Sequence, residues 1–433
     1  MKIFFAILLL LAPKFASGFL KAKGDAPFLK FETSLDILGG IAAQNNQVSL
    51  TNPDNQILNL PTQSLDSEFK PIFKFEQSQS GLTLSLKPYL RLYDSQFEFK
   101  SQTQNRKLSD YGFYEAYLRW ELLKVIDLSF GKINSQWGPS ELLSPSQFMF
   151  QGLLLRPEPF QSVAGQEMIQ LQFTPKQNLS FCVQTELNPS GLQHTDQINA
   201  APATSQGRIL SKVDYSSRSG DFDLGVVIGE QGQVQKRIIV GSFAFFNYNP
   251  DAQIYYDVRH QRGSEKLHIA SIQTLDQPFL TSDEPFTLGV LGHRYSFSNG
   301  IEWHIEYIGS DFGQSISQRE FAFKTIKSNP NTLQLYQIFN DPVSALPGQN
   351  YIYNSLRWDS PSFLSSLFSA SHIYLRSLHS IGDASAFINF ALETSLSDHW
   401  AQSLAMIKTI GDNEAELNQS VDFYLSYYLK RSF

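Results

Sequence analysis

The sequence predicts an all-β protein, namely a single antiparallel transmembrane β-barrel of about 18 strands, with a range of about 16–20. Three observations predict it. Apolar and polar residues alternate along most of the chain with a period of two, which is the strand period. The alternating segments run for about ten residues, the length that a tilted strand needs to cross a bilayer. Their connections are short at one end, expected to be periplasmic, and long at the other, expected to be extracellular.

The composition excludes other classes of protein. The chain has 433 residues, of which 42% are hydrophobic and only 17% are charged, so its surface carries little charge for its size. Beyond residue 18, no apolar run reaches the roughly 18 residues of a membrane-spanning helix. Aromatic and β-branched residues occur throughout, which excludes a disordered chain. The single cysteine, Cys182, cannot form an internal disulfide.

The N-terminus predicts export from the cytoplasm. Met1-Lys2 precedes a ten-residue apolar core, residues 3–12, and small residues stand at Ala16 and Gly18. We therefore expect a secretory signal peptide over residues 1–18 and the barrel over residues 19–433. A membrane anchor is the alternative, but the apolar core is too short to span. Removing the two lysines of residues 1–18 lowers 34 basic residues to 32 against 41 acidic ones, a net charge of −9 that does not favour nucleic-acid binding.

The strands follow one another from about Phe28 to the C-terminus, with a weaker pattern over 309–348. In one segment, Leu82, Leu84, Leu86, Leu90 and Leu92 share a face. The expected long connections are 42–66, 95–109, 135–166, 188–205 and 328–348. Pro71 and Pro88 interrupt two early segments, which predicts either bulges or shorter strands there.

The last segment carries the most specific pattern. One face holds Val421, Phe423, Leu425, Tyr427, Leu429 and Phe433. This segment resembles the terminal strand of bacterial outer-membrane barrels, which ends in Phe and is recognised by the barrel-assembly machinery. The resemblance implies an assembly signal at Tyr427 and Phe433, contact with outer-membrane lipid and lipopolysaccharide, and a place in the outer membrane of a Gram-negative bacterium. Arg431 departs from the family pattern, which has an apolar or aromatic residue there, and we expect it to reach the headgroups.

The longest connection, 135–166, contains Trp137-Gly138-Pro139 and follows a strand that ends Phe130-Gly131-Lys132. This order resembles porin-like outer-membrane families, including the alginate-export and capsule-assembly barrels, in which a Trp-Gly-Pro element precedes a loop that enters the lumen. Phe148 and Phe150 are too apolar for a freely solvated loop. We therefore predict that loop 135–166 folds into the lumen as a constriction made by Trp137, Gly138, Pro139, Phe148 and Phe150. An extracellular loop packed on its neighbours is the alternative.

Alternation also assigns charged and aromatic side chains to the lumen. The predicted pore-lining residues are Lys70, Lys74, Lys87, Arg91, Glu115, Tyr117, Arg119, Glu302 and Glu306. A basic wall opposite an acidic one would impose a transverse field on solutes in the pore. Local salt-bridge packing is the alternative.

These patterns predict a channel for passive passage of small polar or anionic solutes. The alternative is a barrel that exports or anchors a surface polysaccharide, such as capsule or exopolysaccharide. An enzyme is not expected, because Ser371 and His372 are neighbours on a strand and point to opposite faces, and no nucleophile-elbow motif occurs. No cofactor is expected, and the histidines lack the spacing of a metal site.

Overall fold

The computed structural model describes residues 28–44, 61–77, 80–99, 102–135, 137–148, 164–187, 208–231, 237–263, 284–311, 313–328, 346, 348–361, 370–411, 415, 417 and 421–432. Eighteen strands and one helix are described. They are β1 (Phe28–Gln44), β2 (Gln63–Gln77), β3 (Leu82–Phe99), β4 (Gln102–Leu123), β5 (Ile126–Ile133), β6 (Gln166–Lys176), β7 (Leu179–Glu186), β8 (Ile209–Ser216), β9 (Phe222–Gln231), β10 (Arg237–Asn249), β11 (Ala252–Arg262), β12 (Pro285–Ser296), β13 (Ile301–Ser310), α1 (Ile316–Ser328), β14 (Asn350–Asp359), β15 (Ala370–Ser380), β16 (Ala386–Ser395), β17 (Trp400–Ile410) and β18 (Val421–Ser432). Among these residues, no helix is both long and apolar enough to cross a membrane.

The strands form one closed sheet. Each strand pairs antiparallel with its neighbours in sequence, and β1 pairs with β18 from Ser34↔Ser432 to Gln44↔Val421. Closure leaves the sheet without an open side, which is what a membrane requires because lipid cannot satisfy free backbone groups. The predicted fold class and the expected 18 strands are therefore confirmed.

The barrel has two unlike ends. At the first, called the turn end, β4 and β5 are joined by residues 124–125, β6 and β7 by 177–178, and β10 and β11 by 250–251. At the second, called the loop end, the connections include 134–165, 187–208 and 311–349. β1 starts and β18 finishes at the turn end, as follows from an even number of strands.

Alternation separates an apolar exterior from a polar interior. On β17, the side chains of Leu404 and Met406 are exposed on the outside, whereas Ser403 and Ala405 are buried inside. The exposed outer side chains include Phe69, Leu92, Trp120, Phe173, Val213, Ile228, Ile254, Leu291 and Leu375. Such an exterior suits lipid and not water.

Two early features differ from the simplest strand pattern. Residues 95–109, predicted as a long connection, instead continue β3 and β4 as a paired hairpin, with Phe99 opposite Gln102. The many polar residues of this hairpin explain why its composition suggested a loop. Pro88 marks a register shift between β3 and β4, which confirms a bulge at that proline.

Candidate functional site: a segment that crosses the lumen

Residues 137–148, called the inner segment, follow β5 and lie inside the barrel. They contact side chains on the inward faces of β8 to β11 and of β13 to β15. β5 and β14 are nine strands apart in a barrel of eighteen and are therefore diametrically opposite. The inner segment thus spans the lumen from one wall to the other.

Hydrogen bonds within the chain give the inner segment its shape. The Ser144 hydroxyl donates to the Trp137 carbonyl over 3.0 Å, and the Gln147 side-chain amide donates to the Ser135 carbonyl over 2.8 Å. The Trp137 backbone N–H donates to the Gln147 Oε1 over 3.4 Å. These bonds join the two ends of the segment into a compact loop, so its middle projects toward the far wall.

Phe148 anchors the end of the segment in an apolar cluster. Its side chain is 1% exposed and packs with Trp137, Met168, Leu210, Val227, Ile239 and Phe243. The ring fills the space that a side chain at Gly229 on β9 would need. The guanidinium of Arg259 lies 5.6 Å from the ring centroid, a cation–π distance. Burial of a phenylalanine of this kind contributes about 2–3 kcal/mol.

A buried ion pair holds the same end. Arg208 Nη2 lies 3.2 Å from Glu186 Oε1, and both side chains are almost fully buried. Arg208 Nη1 also donates a hydrogen bond to the Phe148 carbonyl over 2.8 Å. The pair therefore ties the ends of β7 and β8 to the inner segment.

Asp257, on the inward face of β11, binds the segment from the wall. Its carboxylate is fully buried and accepts hydrogen bonds from the Ser144 hydroxyl over 2.5 Å and from the Ser146 backbone N–H over 2.8 Å. Gly138 has a φ of +88°, and a Cβ there would lie 2.5 Å from the Asp257 carboxylate. Glycine at 138 is therefore required both by backbone conformation and by space.

Glu306, on β13, binds the middle of the segment. Its buried carboxylate accepts hydrogen bonds from the backbone N–H groups of Glu141 over 2.6 Å and Leu142 over 3.3 Å, and from the Tyr255 hydroxyl over 2.7 Å. Backbone donors bonded to a carboxylate form charge-assisted hydrogen bonds, which are stronger than neutral ones.

Glu141 reaches the opposite wall. Its Oε1 accepts hydrogen bonds from the Tyr353 hydroxyl over 3.0 Å and the Ser355 hydroxyl over 2.9 Å, both on β14. Its Oε2 lies 3.1 Å from His304 Nδ1, and Arg376 Nε on β15 lies 3.8 Å from Oε1.

Leu142 and Leu143 add an apolar contact at this wall. They pack against a cluster of Val290, Ile308, Leu346, Tyr351, Tyr353 and Leu378. Leu417 packs on the same cluster. Residues from three loop-end connections therefore meet inside the barrel.

The predicted pore-lining cations on β2 to β4 lie on the inward face, and each is paired locally. Lys70 pairs with Asp36 and, over 3.3 Å, with Glu68. The other pairs are Lys74 with Glu76 at 2.5 Å, Lys87 with Glu115 at 2.8 Å, Arg91 with Asp66 at 2.5 Å and Arg119 with Asp127 at 2.8 Å. Local pairing neutralises most of the basic wall, so the salt-bridged alternative describes this side of the barrel better than a transverse field does.

The remaining predicted lumen residues are Tyr117, Glu302 and Glu306. Tyr117 packs against the Phe148 cluster on the inner face of β4. Glu302 pairs with Arg294 and with His304 Nε2, the latter over 2.8 Å. Glu306 does not line open space, because it is buried under the inner segment.

In several inner ion pairs the cation is more exposed than the anion. The exposed fractions are 54% for Arg119 against 21% for Asp127, 44% for Arg294 against 23% for Glu302, and 37% for Lys87 against 15% for Glu115. The lumen surface at these places therefore presents guanidinium and ammonium groups, with the carboxylates recessed behind them.

Sequence reasoning did not single out Asp257, Arg208 or Glu186. Alternation places Asp257 on the same inner face as Tyr255. An inward-facing carboxylate is a candidate site residue, so the sequence did contain the information needed to find it. Its partners Ser144 and Ser146 are more than 100 residues away in sequence, so spacing could not connect them.

Several predicted features lie wholly or partly outside the described residues: the signal peptide over 1–18, Phe150 and Phe433. Tyr427 is described, with its side chain outside the barrel and its hydroxyl donating to Gln402 Oε1 over 2.8 Å. The Arg431 guanidinium lies 5.2 Å from the Trp400 ring centroid, so this unusual residue of the last strand stacks on an aromatic neighbour.

Among the residues described, no three His, Cys, Asp or Glu side chains form a group that could hold a metal ion.

Comparison with known proteins identifies the fold. No family model and no curated protein matches the chain. Among solved structures, OccAB1 of Acinetobacter baumannii is similar with a TM-score of 0.59 and 9% identity, covering 95% of this chain and 98% of that one. OccK5 (OpdH) of Pseudomonas aeruginosa has a TM-score of 0.52 and 9% identity, covering 93% and 98%. Wzi of Escherichia coli, described as a carbohydrate-binding barrel involved in group 1 capsule assembly, reaches a TM-score of 0.49 at 12% identity, covering 98% and 88%.

The closed antiparallel barrel, its apolar exterior and its similarity to outer-membrane porin-like barrels define the class of this protein. Its fold is that of the porin-like outer-membrane β-barrels. In barrels of this fold, the short turns lie at the periplasmic side and the long loops at the outside of the cell.

Proposed function

We propose that the protein is a channel for passive passage of small polar or anionic solutes, with the inner segment as its constriction. The observation that carries this proposal is that Trp137 to Phe148 span the lumen between opposite walls, anchored by Asp257, Glu306 and Phe148. An anchored crossing narrows a barrel that is otherwise wide enough for an aqueous lumen.

Charge exposure supports a preference for anions. Arg119, Arg294 and Lys87 present their cationic groups to the lumen, whereas the paired carboxylates are recessed. An anion in the lumen therefore approaches the positive member of each pair first. Exposed pairs are weakly held in water, so a passing anion competes with the carboxylate at small cost.

The proposal is tested by electrical recording from the purified protein. The mature chain is refolded into planar bilayers, and single-channel conductance and reversal potential are measured in a salt gradient. Stepwise conductance with a reversal potential that favours the anion supports the proposal. Silence in protein shown by circular dichroism to be folded β-structure contradicts it.

The second candidate is a sealed barrel that exports or anchors a surface polysaccharide. The meeting of Leu142, Leu143, Leu346 and Leu417 inside the barrel favours it, because apolar side chains from three connections exclude water there. A silent, folded barrel that binds purified capsular or exopolysaccharide in a pull-down would support this candidate over the channel.

A further inference from the structure

The inner segment has two kinds of anchor. Its ends are fixed in the dry part of the barrel, where Phe148 and Ser146 are fully buried and Trp137 nearly so. Its middle, residues 139–143, is called the tip. The tip carries Glu141, whose side chain is 28% exposed and is held by polar contacts to the far wall. The tip is therefore the part of the segment that water can reach.

His304 lies between the tip and Glu302, hydrogen-bonded to Glu302 and within ion-pair distance of Glu141. Its Nδ1 lies 3.1 Å from Glu141 Oε2, and its Nε2 lies 2.8 Å from Glu302 Oε1. Neutral imidazole carries a hydrogen on one nitrogen, so it can donate to one carboxylate, whereas the charged form carries hydrogens on both. Attraction to both carboxylates at once requires the charged form.

Other charged and polar groups surround His304, Glu141 and Glu302. Arg294 on β12 stands opposite His304 in register and pairs with Glu302. Arg376 on β15 lies beside Glu141, and Glu306 is the next inward-facing carboxylate on β13. Ser355, opposite His304 on β14, and Tyr353 contribute hydroxyl groups to Glu141. Arg357 stands opposite Glu302 on β14 and pairs with Asp359. The cluster therefore holds more carboxylates than guanidinium groups, and a charged His304 offsets part of this excess.

We propose that Glu141 is the positioning residue of the tip and that the charge of His304 sets how firmly the tip is docked against the far wall. With a charged imidazole, the tip is docked and the lumen is narrow. With a neutral imidazole, His304 no longer attracts both Glu141 and Glu302, and the tip is released more often. The effect on the bore rests on the proposed channel function, whereas docking itself does not.

Hydrogen exchange reads docking directly, because the backbone N–H groups of Glu141 and Leu142 are bonded to Glu306 only when the tip is docked. The peptide that covers the tip is followed by mass spectrometry in lipid nanodiscs between about pH 5 and pH 8, the range in which histidine changes charge. Rates are divided by the intrinsic rate at each pH. In the wild type, we expect protection of the tip to fall about threefold to tenfold as pH rises, the loss expected for one hydrogen bond.

Two variants separate a charge effect from a general loss of structure. Glu141→Gln keeps the side-chain shape and an acceptor for the two hydroxyls but removes the charge, so we expect low protection with no pH dependence. His304→Gln should also abolish the pH dependence. Asp94→Asn is the control, because Asp94 pairs with Lys107 on the β3–β4 hairpin, away from the inner segment, and this variant should follow the wild type.

The outcomes distinguish the two proposals. Equal tip protection at every pH in the wild type, or an unchanged profile in Glu141→Gln, overturns the role of Glu141 and His304. Conductance of the same proteins is measured in parallel. A silent barrel whose tip protection follows the expected profile supports the docking proposal and contradicts the channel.

Discussion

Gly138 and Asp257 approach so closely that no side chain fits between them. A Cβ at position 138 would lie 2.5 Å from Asp257 Oδ2, and the backbone there has a φ of +88°. The Trp-Gly-Pro element of the inner segment is therefore matched to one carboxylate on β11, across 119 positions of sequence.

Replacing this glycine should undock the inner segment. Gly138→Ala meets backbone strain, the Ser144 hydroxyl and the Asp257 carboxylate, so we expect it to increase the rate of proteolysis within 137–148 while leaving the barrel intact. Gly220→Ala is the matched control, because Gly220 also has a positive φ, +78°, but nothing lies near its Cβ position. Heat-modifiable migration on gels checks the barrel in both variants. Equal protease resistance of the two variants would contradict the fit between Gly138 and Asp257.

Phe148 should stabilise the protein by packing against other apolar side chains inside the barrel. Phe148→Ala leaves a cavity among Val227, Ile239 and Phe243, and we expect a loss of about 3–5 kcal/mol in the free energy of unfolding. Phe246→Ala removes the same side chain from the lipid-facing side, where Phe246 is exposed, and should cost less. Urea titration in lipid vesicles, followed by tryptophan fluorescence, measures both. A larger loss for Phe246→Ala would argue against a packed interior at Phe148.

Removing one member of the buried Glu186–Arg208 ion pair should destabilise the protein more than removing both. Either Glu186→Leu or Arg208→Met leaves one charge unpaired, and we expect each to cost about 3–5 kcal/mol in the free energy of unfolding. The double variant removes both charges and should cost less than either single change. A double variant whose loss equals the sum of the two single losses would show that the pair is not coupled.

Charge selectivity should follow the exposure of the lumen cations. Arg119→Gln with Arg294→Gln removes the two most exposed guanidinium groups among the pairs compared above, and we expect the reversal potential to move toward cation preference. Arg91→Gln should have a smaller effect, because Arg91 is recessed against Asp66, and Lys87→Gln an intermediate one. Reversal potentials recorded from planar bilayers in a salt gradient rank the variants by their charge selectivity. An unchanged reversal potential in the Arg119 and Arg294 double variant would remove both residues from the conducting path.

The outward face of β18 should matter for assembly more than other lipid-facing positions. We expect Tyr427→Ala, or removal of Phe433, to lower the fraction of protein that reaches the heat-modifiable form in cells. Tyr256→Ala is the control, since Tyr256 is also a lipid-facing tyrosine but lies on β11. Fractionated membranes analysed by gel migration measure the assembled fraction. Equal losses at Tyr256 and Tyr427 would show a general effect on lipid contact instead of a signal in the last strand.

The barrel was predictable because its pattern is local. Two-residue alternation, as in Leu82 to Leu92, is imposed on each crossing strand by lipid on one side and water on the other. Closure then follows from the absence of hydrogen-bond partners in lipid. The hairpin at 95–109 was misassigned because most of its residues are polar, so its composition resembled that of a loop although its backbone is paired.

The lumen was less predictable, because its contacts join distant parts of the chain. Apolar residues such as Phe148 indicated that the loop could not be solvated, and alternation put Lys70 and Arg91 on the inner face. Alternation does not reveal which charges are neighbours across strands. Asp66 opposite Arg91, or Asp257 beneath Ser144, depends on register and on the path of the inner segment, which no single strand encodes.

The contact between Glu141 and Tyr353 also bears on the order of events during assembly. These residues are 212 positions apart and meet across the full width of the barrel, so their contact requires that β14 already stands opposite β5. A contact so distant in sequence carries a large loop-closure cost until the intervening strands have paired. We therefore expect docking of the inner segment to be a late step that follows closure of the barrel.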